Sequence, residues 1–166
     1  MFNIVLLEPE IALNTGNIGR TCSVTGAKLH LIRPLGFRLS EKEIKRAGLD
    51  YWEELSPAVY DDYEDFLEKN PRARTRCFFA TTKAVNIYDG VKYEPGDYIM
   101  FGKESGGIPE EILSVNKNKC VRIPMAEGKR SLNLSNSAAV ILYEALRQNE
   151  FCGLETVGSL HRLEWG

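Results

Sequence analysis

The sequence predicts an α/β fold with a mostly parallel sheet and helices on both faces. Short apolar runs that are typical of buried strands alternate along the chain with segments that carry helix-start and helix-stop signals. Three glycine- and amide-rich segments each follow a predicted strand and open a predicted helix. Ligands bind beyond the carboxyl ends of the strands in such sheets. One pattern therefore predicts both the fold class and a ligand site.

The first half of the chain contains four predicted strands, at residues 2–7, 29–32, 58–60 and 77–80. A helix capped by Thr15 or Asn17 is expected to run to Gly26, because glycine suits the left-handed position after a helix. Ser40 and Glu43 form a capping box for a short helix that Gly48 ends. An acidic helix is predicted over residues 62–69, before Pro71.

The second half contains predicted strands at residues 98–101 and 120–123. Pro109, followed by two glutamates, starts a short helix between them. After Ser131 a longer helix is predicted to run to about Asn149. Its apolar residues fall on one stripe, namely Leu134, Ala138, Ile141, Leu142, Ala145 and Leu146. Residues 1–150 are expected to form a single domain, and residues 151–166 a C-terminal tail.

The composition is that of an ordinary globular chain of 166 residues, 43% hydrophobic and 27% charged. A net charge of -2 argues against a protein coated in positive charge for bulk nucleic-acid binding. Local basic patches remain candidates for RNA contact. They are Lys42, Lys45 and Arg46; Arg72, Arg74 and Arg76; and Lys129 with Arg130. For the first two patches a solvated face is the better interpretation.

Four widely spaced cysteines match neither a zinc site nor a disulfide framework, so we expect free thiols, a cytoplasmic protein and no metal. The N-terminus has no basic leader, and no apolar run approaches the length of a membrane span. His30 and His161 fit no catalytic triad or metal spacing, which favours structural or surface roles.

The first glycine-rich segment, residues 14–20, combines amide side chains at Asn14 and Asn17 with glycines that permit close backbone approach. Arg20 is expected one turn into the following helix, where its planar guanidinium suits phosphate recognition. A capped helix start with a surface arginine explains this segment about equally well.

The other two segments are more informative. In residues 101–109, Gly102, Gly106 and Gly107 surround Glu104, which predicts a tight turn with its backbone facing a ligand. After Arg130, small polar residues open an otherwise strong helix in greater number than capping requires: Ser131, Asn133, Ser135, Asn136 and Ser137. Neither a dinucleotide-binding Gly-x-Gly-x-x-Gly nor a Gly-Lys-Ser/Thr phosphate loop is present. The three segments together predict a nucleoside-like ligand held largely by backbone groups.

In this order, the three segments resemble the three motifs of the SpoU branch of the SPOUT RNA methyltransferases, over about residues 1–148. The resemblance implies an α/β fold with a C-terminal trefoil knot, the cofactor S-adenosyl-L-methionine, and a homodimer joined through the first and last helices. The short chain, the Asn3-Ile-Val-Leu start and the run from Arg130 to Asn136 followed by Tyr143-Glu-Ala most resemble the members of this branch that methylate the ribose 2'-oxygen of tRNA wobble nucleotide 34, a cytidine or modified uridine in the anticodon loop. The positions that match cofactor contacts are Ala80, Gly102, Ile123, Ser131, Leu132 and Asn133.

The resemblance also identifies Arg20 as the activating group, with Asn14, Glu104 and Arg130 as further catalytic residues. Arginine is effectively always protonated, so we expect Arg20 to position phosphate and ribose and to stabilise developing negative charge. Asn14 and Glu104 would orient the site, and Arg130 would contact RNA or help activate the hydroxyl. Ribosomal RNA or another tRNA position is an alternative substrate. A non-catalytic RNA-binding protein with this fold is a further alternative.

Overall fold

The computed structural model describes residues 1–39, 51–129 and 131–166. Its strands are β1 (Asn3–Leu7), β2 (Lys28–Ile32), β3 (Ala58–Tyr60), β4 (Cys77–Ala80), β5 (Asn86–Ile87), β6 (Tyr98–Phe101) and β7 (Cys120–Arg122). They form one sheet in the order β3-β2-β1-β6-β4-β7-β5, and every neighbouring pair is parallel. The predicted parallel sheet is confirmed. The two-residue β5 is too short to give a periodic signal in the sequence.

The helices are α1 (Ala12–Thr25), α2 (Trp52–Leu55), α3 (Tyr63–Lys69), α4 (Ala73–Arg76), α5 (Glu110–Ser114) and α6 (Leu134–Gln148). Gly26 ends α1 in the left-handed conformation, at φ 69°, as predicted. Asp62 caps α3, because its carboxylate accepts the Asp65 N–H at 2.8 Å. The one-turn helices α2 and α4 were not predicted. The proposed capping box of Ser40 and Glu43 lies outside the described residues.

The central strands are buried on both faces, so side chains of β1 alternate between two apolar layers. Ile4 and Leu6 enter the layer beneath α1 and α6, whereas Val5 and Leu7 enter the layer beneath α3 and α5. Helices therefore cover both faces of the sheet, as predicted. The buried stripe of α6 matches the predicted one, at Ala138, Ile141, Leu142, Ala145 and Leu146.

The start of α1 differs from the prediction. The helix begins at Ala12, and Ile11 at its N-cap makes no side-chain capping bond. The reason lies outside the segment: a distant carboxylate, that of Glu104, accepts the Glu10 N–H at 2.8 Å just before the helix. Asn14 therefore lies within the first turn, and Arg20 lies more than two turns along the helix instead of one.

Two groups of charged or polar side chains serve the fold itself. Arg76 forms an ion pair with fully buried Asp97, and Arg72 donates to the Pro95 carbonyl at 3.1 Å. This part of the second basic patch is therefore structural and is not the solvated face we expected. His30 is buried against Tyr60, whose hydroxyl lies 2.8 Å from the His30 Nδ1, which confirms its structural role.

The four cysteines are free thiols, as predicted. Among the described residues, no helix is both long and apolar enough to cross a bilayer.

Candidate functional site

A cavity of about 350 Å³ opens at the carboxyl edge of the sheet, beyond the ends of β4, β6 and β7. Its wall is built by four stretches that are distant in sequence: the start of α1, residues 80–83, residues 101–108, and the segment from Val121 to Ile141. All three glycine- and amide-rich segments contribute to this wall. The location agrees with the general placement of ligands in parallel α/β sheets.

The structure brings most of the candidate residues together. Eight of them line the cavity: Asn14, Ala80, Gly102, Glu104, Ile123, Ser131, Leu132 and Asn133. Among the described candidates, Arg20 is not part of the cavity wall. Arg130 lies outside the described residues.

A chain of side-chain hydrogen bonds joins the three motifs at one side of the cavity. The Asn14 Nδ2 donates to the Glu104 Oε1 at 2.9 Å, and the Asn133 Nδ2 donates to the Asn14 Oδ1 at 3.0 Å. Asn14 is 6% exposed, so its amide is held in one orientation between a carboxylate and a second amide. Residues separated by 90 and 119 positions are thereby fixed relative to each other.

Asn133 also starts helix α6. Its Oδ1 accepts the Ser135 N–H at 2.9 Å and the Ser135 hydroxyl at 2.7 Å. The side chain therefore uses its oxygen as the N-cap of α6 and its nitrogen to reach Asn14. This double use explains part of the excess of small polar residues that follows Arg130 in the sequence.

The second motif is tied to the segment that precedes α1. The Glu10 carboxylate accepts both the N–H and the hydroxyl of Ser105, each at 2.8 Å, and these bonds lower the pKa of Glu10. The Lys103 ammonium lies 2.9 Å from Glu8, and that hydrogen bond raises the pKa of Lys103. Two acidic residues after β1 therefore hold the loop after β6 against the start of α1.

Gly102 is required by the close turn of this loop. A Cβ at this position would lie 2.1 Å from the Gly107 carbonyl carbon and 2.3 Å from the Ile108 nitrogen. These are backbone atoms, so the loop itself would have to move. The glycine thus allows the loop to fold back on itself and to present backbone groups to the cavity.

The charged residues of the described wall are all engaged with protein groups. Lys83 pairs with Glu110 at 2.6 Å, which lowers the pKa of Glu110. Lys103 pairs with Glu8, and Glu104 accepts two amide hydrogens. Most of the remaining wall is apolar, small or amide-bearing. Such a wall suits a flat, largely uncharged group with polar edges, such as a nucleoside.

Arg20 faces away from this wall. It follows Asn14 by six residues, which corresponds to about 9 Å along the helix axis and about 240° of rotation. The exposed positions of α1 form one stripe that contains Leu13, Asn17, Arg20 and Val24. In a single copy of the chain, Arg20 therefore lies on the outer face of α1, beside Tyr51.

Three consecutive wall residues were not predicted from the sequence. Thr81, Thr82 and Lys83 follow β4 directly, whereas Ser137, which also lines the cavity, is one of the small polar residues singled out after Arg130. The position of residues 81–83 immediately after a predicted strand was the signal that could have identified them. Within the described part of the chain, no cluster of three or more His, Cys, Asp or Glu side chains could hold a metal ion.

Comparison with known proteins gives a consistent result. A model of the SpoU rRNA Methylase family matches residues 1–143. A relative from Methylovorus glucosotrophus, named tRNA (cytidine(34)-2'-O)-methyltransferase, is 49% identical over 154 residues, which cover 92% of this chain and 99% of the relative.

Two solved structures extend the comparison. One, described as "Structural insights into the 2-OH methylation of C/U34 on tRNA", superposes with a TM-score of 0.84 at 43% identity, over 90% of this chain and 97% of the other. An AdoMet-bound rRNA methyltransferase from Sinorhizobium meliloti has a TM-score of 0.73 at 25% identity, over 88% of this chain and 56% of the other.

Proposed function

This chain belongs to the SpoU rRNA methylase family, and we propose that it is a tRNA 2'-O-methyltransferase that uses S-adenosyl-L-methionine to methylate wobble nucleotide 34. The observation that carries the proposal is the cavity at which Asn14, Glu104 and Asn133 join three distant motifs by hydrogen bonds. The near full-length likeness to a relative named for cytidine 34 favours tRNA over ribosomal RNA.

The wall of the cavity fits the cofactor. Its volume of about 350 Å³ lies within the usual range for small-molecule sites. Ala80, Gly102, Ile123, Ser131, Leu132 and Asn133 are the residues that would hold the cofactor. Backbone groups beside Gly102 and Leu132 would meet the polar edges of an adenine, and the apolar side chains would meet its faces.

When bound, S-adenosyl-L-methionine would supply a methyl group carried on a positively charged sulfur: the ribose 2'-oxygen would bond to the methyl carbon as the carbon–sulfur bond breaks, the sulfur would leave as neutral S-adenosylhomocysteine, and the hydroxyl proton would pass to water. Asn14 and Glu104 hold the wall in place for this step, because each is already fixed by protein hydrogen bonds. Burial lowers the pKa of His30 to about 4, and His30 lies in the aromatic cluster on β2 instead of at the cavity. We therefore assign no base role to His30.

Arg20 positions the RNA phosphate and ribose and stabilises negative charge on the attacking oxygen. A guanidinium remains protonated at any working pH, so it acts as a hydrogen-bond donor and not as a base. Arg130 contacts the RNA or helps to activate the hydroxyl. Much of the rate would then come from holding the methyl group and the hydroxyl in line.

We also propose that two copies form the active enzyme through α1 and α6. The two helices pack against each other, and their outer faces expose Leu13 (57%), Val24 (64%) and Tyr143 (46%). Arg20 lies on the same outer face. A second copy on this face would cover the apolar side chains and bring Arg20 towards a cavity of the partner subunit.

The dimer has a direct test with a matched control. Val24→Glu places a charge on the proposed interface, whereas Val115→Glu places one at an exposed valine after α5. In sedimentation velocity, Val24→Glu is expected to lower the dimer fraction and Val115→Glu to leave it unchanged. Equal behaviour of the two variants argues against this interface.

The remaining features of the family are proposed with the function. The C-terminal trefoil knot is proposed from the family to which the chain belongs. Residues 1–150 would form the methyltransferase domain, residues 151–166 a tail, and the enzyme would act in the cytoplasm on the anticodon loop.

The deciding experiment uses methyl-labelled cofactor with total RNA that lacks nucleotide-34 methylation. We expect label in tRNA, mapped to the ribose of nucleotide 34, and a large loss of turnover in Arg20→Lys with unchanged affinity for S-adenosylhomocysteine. Label in ribosomal RNA or at another tRNA position supports the alternative substrates. No binding of S-adenosylhomocysteine at millimolar concentration excludes the enzyme and leaves the non-catalytic alternative.

A further inference from the structure

We propose that Tyr51 is a positioning residue that holds the Arg20 guanidinium in the orientation used for RNA phosphate. The proposal rests on the proposed function, because it assigns Arg20 to the RNA backbone. Tyr51 lies immediately before α2 and more than thirty residues from Asn14 and the first motif.

The contact is a cation–π contact between a guanidinium and an aromatic ring. The Arg20 guanidinium carbon lies 5.3 Å from the centre of the Tyr51 ring, which is within the range of cation–π attraction. The ring is itself anchored, because the Tyr51 hydroxyl donates to the Gly16 carbonyl at 2.9 Å. Gly16 precedes Arg20 by one helical turn, so the ring stands beside the base of the arginine side chain.

The packing of α2 on α1 fixes the ring further. A Cβ at Gly19 would lie 3.0 Å from the Trp52 Cζ3 and 3.2 Å from the Leu55 Cδ2. Glycine at this position lets α2 approach α1 closely, and that approach brings Tyr51 alongside Arg20. Gly19, one of the first-segment glycines expected to permit close backbone approach, therefore serves contact between two helices.

Cation–π attraction and phosphate binding are compatible in one guanidinium. The attraction acts between the charge and the aromatic ring, whereas phosphate oxygens are bound by N–H groups in the guanidinium plane. A long arginine side chain samples many rotamers in solution, and ordering it opposes binding. A ring that limits those rotamers before RNA arrives reduces the conformational entropy that the side chain loses on binding.

The test is a double-mutant cycle on RNA affinity, measured in the presence of S-adenosylhomocysteine. Tyr51→Leu removes the ring and is expected to weaken RNA binding by about two- to tenfold, the range for cation–π contacts. Tyr51→Phe keeps the ring and should stay within about twofold of wild type. In an Arg20→Ala background, Tyr51→Leu should have no further effect.

Controls separate positioning from folding. Tyr63→Leu, at a half-buried tyrosine on α3, should not change RNA affinity. Affinity for S-adenosylhomocysteine should be unchanged in Tyr51→Leu, and its melting temperature should fall about as far as in Tyr51→Phe, because both lose the hydroxyl bond to the Gly16 carbonyl. Tyr51→Met is the second ringless variant if Tyr51→Leu does not fold. An equal loss of RNA affinity with and without Arg20 overturns the proposal, because Tyr51 would then contact RNA itself. An unchanged affinity in both ringless variants also overturns it.

A failure of the proposal for Tyr51 can be distinguished from a failure of the proposed function. If the wild-type protein binds RNA but transfers no methyl group, the methyltransferase assignment fails, and the cycle on RNA affinity still decides the role of Tyr51. If methyl transfer is found, kcat should fall in Tyr51→Leu, as it should in Arg20→Lys. In Tyr51→Phe, kcat should be close to that of the wild type.

Discussion

The hydrogen-bonded carboxylate of Glu104 offers the sharpest test of how the site is held together. Its two oxygens accept different amide hydrogens, from the Glu10 backbone at 2.8 Å and from the Asn14 side chain at 2.9 Å. Glu104→Gln keeps the shape and replaces one oxygen by an NH2 group. That group cannot accept a hydrogen, so one bond is lost and two donors face each other.

The size of the effect follows from the kind of bond. A hydrogen bond to a charged group contributes about 1.5–3 kcal/mol to stability. Glu104 is half-buried, so we expect the lower end, a loss of about 1–2 kcal/mol in the free energy of unfolding. With a urea dependence of about 2 kcal/mol per molar, the midpoint would fall by about 0.5–1 M.

Glu104→Gln should also weaken ligand binding, because Glu104 holds Asn14 and, through it, Asn133 at the cavity wall. If about 1 kcal/mol of the loss falls on the cavity wall, affinity for S-adenosylhomocysteine weakens about fivefold. Urea unfolding and titration calorimetry measure the two effects, with Glu111→Gln, an exposed glutamate on α5, as control. The reasoning is refuted if Glu104→Gln and Glu111→Gln match in both measurements.

Three further changes probe other parts of the structure. Gly102→Ala puts a methyl group against the backbone of Gly107, so we expect at least about a tenfold loss of ligand affinity by calorimetry, with the far-UV spectrum retained. His30 is buried with its pKa lowered to about 4, whereas the unfolded side chain protonates near pH 6.5. Its contribution to the free energy of unfolding is therefore fully present above pH 6.5 and is lost as the pH falls towards 4, by at most about 1.4 kcal/mol per pH unit. His30→Gln should flatten this slope, as measured by urea titrations at each pH. Asp97→Asn removes the charged acceptor that Arg76 binds and should lower the free energy of unfolding by about 1.5–3 kcal/mol in the same assay.

The sequence predicted the parts of the fold that rest on local patterns. The structure contains β1 and β6 at the predicted apolar runs and the predicted apolar stripe on α6. Helix α1 ends at Gly26, as the stop signal predicted. The start of α1 could not be predicted, because it is stabilised by a carboxylate more than ninety residues away and not by a cap in its own segment. Local capping rules contain no information about such a contact.

In the site, too, local patterns could be predicted from the sequence and contacts between distant residues could not. Motif residues such as Gly102 and Asn133 could be identified because glycines and amides accumulate there beyond what turns and caps require. Their mutual contacts could not, since the bond between Asn133 and Asn14 joins residues 119 positions apart. The close approach of Trp52 to Gly19 also could not be predicted from the sequence, because the two residues lie more than thirty positions apart.

The polar groups of the cavity wall indicate how the site can contribute to catalysis. Glu104, Lys83 and Lys103 are each bound to a protein partner, so the charges of the described wall stabilise the site and are not available for proton transfer without breaking those bonds. A methyl group on sulfonium needs little acid catalysis for its departure, because the leaving sulfur becomes neutral. The remaining demand is alignment and stabilisation of the attacking oxygen. A rigid amide-lined wall meets the first demand, and an arginine that approaches from outside that wall would meet the second.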